Sequence, residues 1–171
     1  VKGVFNLIAT LGGGYVDKLL WDNELITTYF QRNSQLLATY KGNNSGTDLE
    51  SELRSHTDYD YSRTSTISDI AMPATPGINK RYYYFNQSQS ATYNQVFRVG
   101  KNGELGINAA YLNDRDERSN QSVTTTLLPD GSKNVVDESF NGILHRNIAN
   151  GNITYMQNTE RNYIKEQLKF D

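Results

Sequence analysis

The chain has no cysteine, three prolines, two methionines, one tryptophan and two histidines in 171 residues. Without cysteine there is no disulfide framework and no thiolate metal site. No run of about 18 apolar residues occurs, so no transmembrane helix is encoded, but a membrane β-barrel leaves no such run. Charge of one sign is missing too. Seventeen Lys and Arg face nineteen Asp and Glu, for a net −2. That balance supplies no basic footprint for nucleic acid and, with 11% aromatics, no disordered polyelectrolyte. Hydrophobic residues reach only 36%, against the usual ~45–50%. Such a chain can build strands with one wet face more readily than a thick two-layer core.

What is present is alternation. From Ala91 to Val99, Ala91, Tyr93, Phe97 and Val99 share one face with Gln95. From Glu104 to Tyr111, Leu105, Ile107, Ala109 and Tyr111 oppose Gly106 and Asn108. Period two means strands, and Gly100-Lys101-Asn102-Gly103 supplies a tight turn between them. Leu25, Thr27 and Tyr29 alternate with Ile26, Thr28 and Phe30, and Leu36, Ala38 and Tyr40 return after Arg32-Asn33. Gly12-Gly13-Gly14 is expected to interrupt the first strand-like run, and Asn150-Gly151 to turn a hairpin. Pro129-Asp130-Gly131-Ser132 is a further turn. Long polar excursions are expected at about 42–79 and 113–139, on the same side of the sheet.

Short and long connections therefore alternate, as in outer-membrane barrels with tight turns at one end and large loops at the other. The fold class expected is all-β, with antiparallel up-and-down strands forming a partial transmembrane barrel over 1–171. About eight strands are countable, too few for the roughly 22 of transporter barrels, so the sheet should stay open. Tyr29, Tyr40, Tyr93 and Tyr111 fit an aromatic girdle, and the expected location is the outer membrane, with lipid against the apolar face. A soluble all-β binding module or adhesin fragment is the alternative. Both ends read as strand, which suggests part of a longer polypeptide.

Candidate chemistry is sparse. His56 and His145 have no ligand-spaced carboxylates, and His145 reads as a lumen-facing polar residue. Gly12-Gly13-Gly14 lacks the lysine and hydroxyl of a phosphate loop. Asp58, Asp60, Asp69, Asp114, Asp116 and Glu117 form oxygen-rich runs without EF-hand spacing, and read as a charged rim beside Arg63, Arg115 and Arg118. No cofactor and no enzymatic constellation emerges. If the loops bind a ligand, the candidate contacts are Tyr59, Tyr61, Tyr83 and Asp114, because loops on a rigid scaffold carry function.

The opening Lys2-Gly3-Val4-Phe5-Asn6-Leu7-Ile8 with Gly12-Gly13-Gly14 resembles the start of the barrel in TonB-dependent receptor-like proteins of the Bacteroidota type. The blocks Leu105-Gly106-Ile107-Asn108-Ala109-Ala110-Tyr111, Asn113-Asp114-Arg115-Asp116-Glu117-Arg118-Ser119 and Leu128-Pro129-Asp130-Gly131-Ser132 are similar to that family's extracellular hairpins. Asn152-Ile153-Thr154-Tyr155 resembles a returning strand. The resemblance implies an outer-membrane receptor importing a bulky nutrient or chelate. Its partners would be the rest of the barrel and a plug, an inner-membrane energising complex and a surface lipoprotein.

Overall fold

The computed structural model describes residues 3–49, 77 and 85–170. Seven strands make one antiparallel sheet in chain order: β1 (Val4–Tyr15), β2 (Leu19–Gln31), β3 (Ser34–Asn43), β4 (Phe85–Val99), β5 (Gly103–Leu127), β6 (Lys133–Asn158) and β7 (Tyr163–Phe170). The fold is all-β and up-and-down. Among the described residues β1 and β7 pair on one side only, so the sheet is open.

Three connections at one end are tight: residues 32–33, 100–102 and 159–162. They are locked to the neighbouring turn or strand end, with Arg98 N donating to Asn33 O at 2.9 Å and Asn158 N to Asn102 O at 3.0 Å. Gly100 takes φ 67°, which a side chain would resist. The other end departs from expectation. The β1–β2 connection there is only residues 16–18, and the excursion at 113–139 is a hairpin ribbon rather than a loop. β5 and β6 stay paired from Gly103↔Gln157 out to Leu127↔Lys133, and only 128–132 turns. Among the described residues length at this end is strand overhang, since the described part of β4 begins at Phe85, opposite Glu117.

Two glycine signals mislead when read alone. Leu11 to Gly14 does not interrupt β1; these residues pair with Asn23 to Leu20. Asn150-Gly151 makes no turn; it lies inside β6, opposite Ala110 and Ala109. Gly151 serves side-chain packing instead. A Cβ there would lie 2.2 Å from Cζ of Phe170, the ring of β7 that covers this bare stretch of strand. Gly42 receives the Trp21 ring in the same manner, with a Cβ placed 2.9 Å from its Cζ3.

The register sorts side chains onto two faces, because directly paired residues point the same way. One outward row reads Phe5, Tyr29, Leu36, Gln95, Ile107, Ile153 and Leu168 across all seven strands. The next reads Leu7, Thr27, Ala38, Tyr93, Ala109, Gly151 and Phe170. Asn94, Asn108, Asn152 and Lys169 form a row on the opposite, inner face. Of the strand side chains, Asn43, Asn86, Ser88, Ser90, Ala110, Leu112, Asp114, Asp116 and Asn150 are buried, and the pleat puts all of them on that inner face. The apolar core beneath is small: Leu49, Ala110 and Leu112, with Ile148 against them. Of the outward apolar residues Leu11, Leu25, Tyr111 and Leu168 are exposed and Leu36, Leu105 and Ile107 half-buried, while Val4, Ile8 and Leu37 on the inner face are exposed too.

A buried polar cluster on the inner face

Alternation along β4 sends Asn86, Ser88 and Ser90 inward, and the same pleat on β5 sends Leu112, Asp114 and Asp116 to meet them. One row then runs Asn43, Ser88, Asp114, Arg146 across four strands. Asn86 and Asp116 are partners in the row beyond. Burial forces each polar atom to find a partner, and the cluster is built accordingly.

Asn86 is the hub. Its Nδ2 donates to Asn43 Oδ1 at 2.8 Å, Thr47 O at 3.1 Å and Ser88 Oγ at 2.7 Å. Its Oδ1 accepts from Gly46 N at 2.9 Å. This pins the chain that leaves β3, where Gly46 turns at φ 88°. Ser88 Oγ donates on to Asp114 Oδ1 at 2.5 Å. The other Asp114 oxygen accepts from Arg146, through Nε at 3.0 Å and also through Nη2. Asp116 Oδ2 takes Arg118 through Nε at 2.8 Å and Nη2 at 2.6 Å. Two carboxylates thus meet two guanidiniums among the described residues. Lys41 and Glu24 add an inner-face pair at 3.0 Å. The Oδ1 of Asp116 is buried and has no hydrogen-bond partner among the described residues.

Asp114, one of the four contacts expected from sequence, belongs to this cluster. It sits within β5 rather than in a loop, is 3% exposed, and is already held by Ser88 and Arg146. Tyr59, Tyr61 and Tyr83 lie outside the described residues, as does most of the excursion at 42–79. His145 faces outward, opposite Arg115, and not inward as the sequence reading placed it. Among the described residues no group of three His, Asp or Glu is arranged for a metal. Asn43, Asn86, Ser88 and Arg146 were not flagged by sequence. Their signal is the inward series Asn86, Ser88, Ser90, Thr92, Asn94, small and polar at every second position. The chemistry available is hydrogen bonding within a charge-matched wall. No known protein family, curated protein or solved structure matches this chain.

Proposed function

We propose that the chain is a segment of an outer-membrane β-barrel of receptor or transporter type, serving nutrient or chelate uptake, with its outward face against lipid. The observation that carries this reading is the apolar band. On β4 it runs from Ala91 to Val99 and on β5 from Gly103 to Tyr111, nine residues each. A tilted strand needs about 9–11 residues to cross a membrane. Beyond Tyr111 the same outward alternation turns polar at once, with Asn113, Arg115 and Glu117.

Three further features support it. Tyr40 and Tyr111 share a row at the far end of the band, where an aromatic girdle sits, whereas Tyr29 lies in the Ile107 row within it. The inner face is polar and its buried charges are matched, as suits the wall of a water-filled or plugged lumen. The outward face carries Leu11, Leu25, Tyr93, Tyr111 and Leu168 exposed, apolar surface that a lipid phase would cover. The further barrel, a plug, an energising complex and a surface lipoprotein are the partners this reading entails.

Ile107→Arg places a charge on the outward row and should lower outer-membrane assembly by about 2–4 kcal/mol near the midplane. Asn108→Arg, on the inner face, should be tolerated. Equal yields for the two in fractionated membranes would refute the reading in favour of a soluble binding module.

A further inference from the structure

The two ends of the sheet differ in charge. Each tight turn carries one cation: Arg32 in 32–33, Lys101 in 100–102 and Arg161 in 159–162, against the single carboxylate of Glu160. At the far end the connections 16–18, 44–48 and 128–132 reverse the balance, with Asp17, Asp48 and Asp130 against Lys18. We infer that the tight-turn end docks on the headgroups of anionic phospholipid in the leaflet it meets. The inference rests on the membrane reading above, in which the tight turns face the periplasm.

The three cations are available and their backbone is fixed. All three residues are exposed, and among the described residues none of them is in an ion pair. Arg98, also near this end, stands opposite Glu104 and is offset by it. Hydrogen bonds from Arg98 N to Asn33 O and from Asn158 N to Asn102 O tie each turn to the next. Within the last turn Thr159 N donates to Asn162 O at 2.8 Å, and Asn162 N to Thr159 Oγ1 at 3.0 Å. The guanidiniums of Arg32 and Arg161 present a fork to which phosphate oxygens accept in pairs, and Lys101 adds a point charge.

Position and spacing select the partner. The outward apolar band reaches Val99, in one row with Gly103, Gln157 and Ile164. Lys101 stands two residues further on, at most about 7 Å past that boundary. A long cationic side chain there lays its methylenes along the apolar edge and keeps its charge among the headgroups. Successive tight turns are two strands apart, about 10 Å, close to the Debye length of ~8–10 Å. Their mutual repulsion is therefore largely screened, and each cation recruits its own phosphate. A headgroup that carries its own ammonium competes for that phosphate, whereas an anionic phosphodiester without an amine leaves its charge to the turn.

The test places the full-length protein in nanodiscs of mixed phosphatidylethanolamine and phosphatidylglycerol and reads the retained lipids by native mass spectrometry. Phosphatidylglycerol should be enriched about fivefold over its bulk ratio, the preference expected of one cation near an anionic surface. Arg32→Gln, Lys101→Gln and Arg161→Gln should each remove about a third of the excess, as independent sites require, and the triple variant should return to the bulk ratio. Lys133→Gln, at the far hairpin tip, is the control and should leave the excess unchanged. An undiminished excess in the triple variant, or one that salt at about 0.5 M leaves intact, would overturn the inference. Insertion with lipids retained in the bulk ratio overturns this inference alone. A chain that stays outside the bilayer, held on phosphatidylglycerol vesicles by the three cations until salt strips it, overturns the membrane reading and keeps the docking surface.

Discussion

Asp114→Ala should be among the most destabilising single changes in the described sheet, at about 3 kcal/mol. Truncation takes the Asp114 carboxylate away from Arg146 and the acceptor away from Ser88. Removing one member of a buried ion pair costs about 3–5 kcal/mol, because the surviving charge stays desolvated. Arg146 is 26% exposed at its side chain, which lets water reach the guanidinium and favours the lower end of that range. Losing the acceptor of Ser88, itself 1% exposed, adds a fraction of a further kcal/mol. Replacing both partners, Asp114→Leu with Arg146→Leu, removes both charges and should recover most of the loss. The assay is urea unfolding of the full-length protein in detergent micelles, followed by Trp21 fluorescence and closed as a double-mutant cycle. If Asp114→Ala costs under about 1 kcal/mol, or if the double variant loses the sum of the singles, the buried pair does not organise this row and the reasoning fails.

Gly151→Val should displace the Phe170 ring and loosen β7 from β6, seen as faster amide exchange in Tyr163–Phe170 with β4 and β5 unaffected. A one-residue insertion between Asn150 and Gly151 should abolish assembly, because it flips every side chain beyond it to the wrong face, whereas the same insertion within 128–132 should assemble normally; comparable yields would restore a turn at Asn150-Gly151. The carboxyl of Asp130 is held below its usual 3.8 by hydrogen bonds from the Ser132 hydroxyl and backbone N–H. A depressed folded value contributes stability that is present above the unfolded value near pH 4 and is lost as pH falls through the lower folded value. The hairpin tip should therefore loosen only in acid, and Asp130→Asn should remove that pH dependence from local exchange rates.

Much of the sheet was legible because the pleat is a strict period. The facing of Phe97, Leu105 and Ile107 against Asn94, Gly106 and Asn108 follows from alternation alone, and the register agrees. The turns at Arg32-Asn33 and Lys101-Asn102 were legible because their residues suit tight reversals. Glycine was the misleading letter. At 12–14 it simply continues β1 opposite Asp22 to Leu20, and at 151 it makes room for the Phe170 ring; a sequence cannot distinguish either from a chain reversal. The inner cluster was half visible: Asp114 stood out as a charge, but Arg146 lies 32 residues away in sequence. Only the β5–β6 register brings the two together. Asn86 and Ser88 carry no charge to draw notice, yet they hold the row.

The overhang of β5 and β6 has a mechanical consequence. Among the described residues the ribbon has two strands and no third from Glu117 outward, and ten more residues carry it to Leu127. At about 3.3 Å each that is a beam roughly 33 Å long, with the 128–132 turn at its free end. A two-stranded ribbon is marginal without a third strand or a packing partner, so stiffness falls off abruptly past Glu117. The base is held in the sheet by the β4–β5 ladder, which reaches Phe85↔Glu117, so a small rotation there would become a displacement several times larger at Gly131.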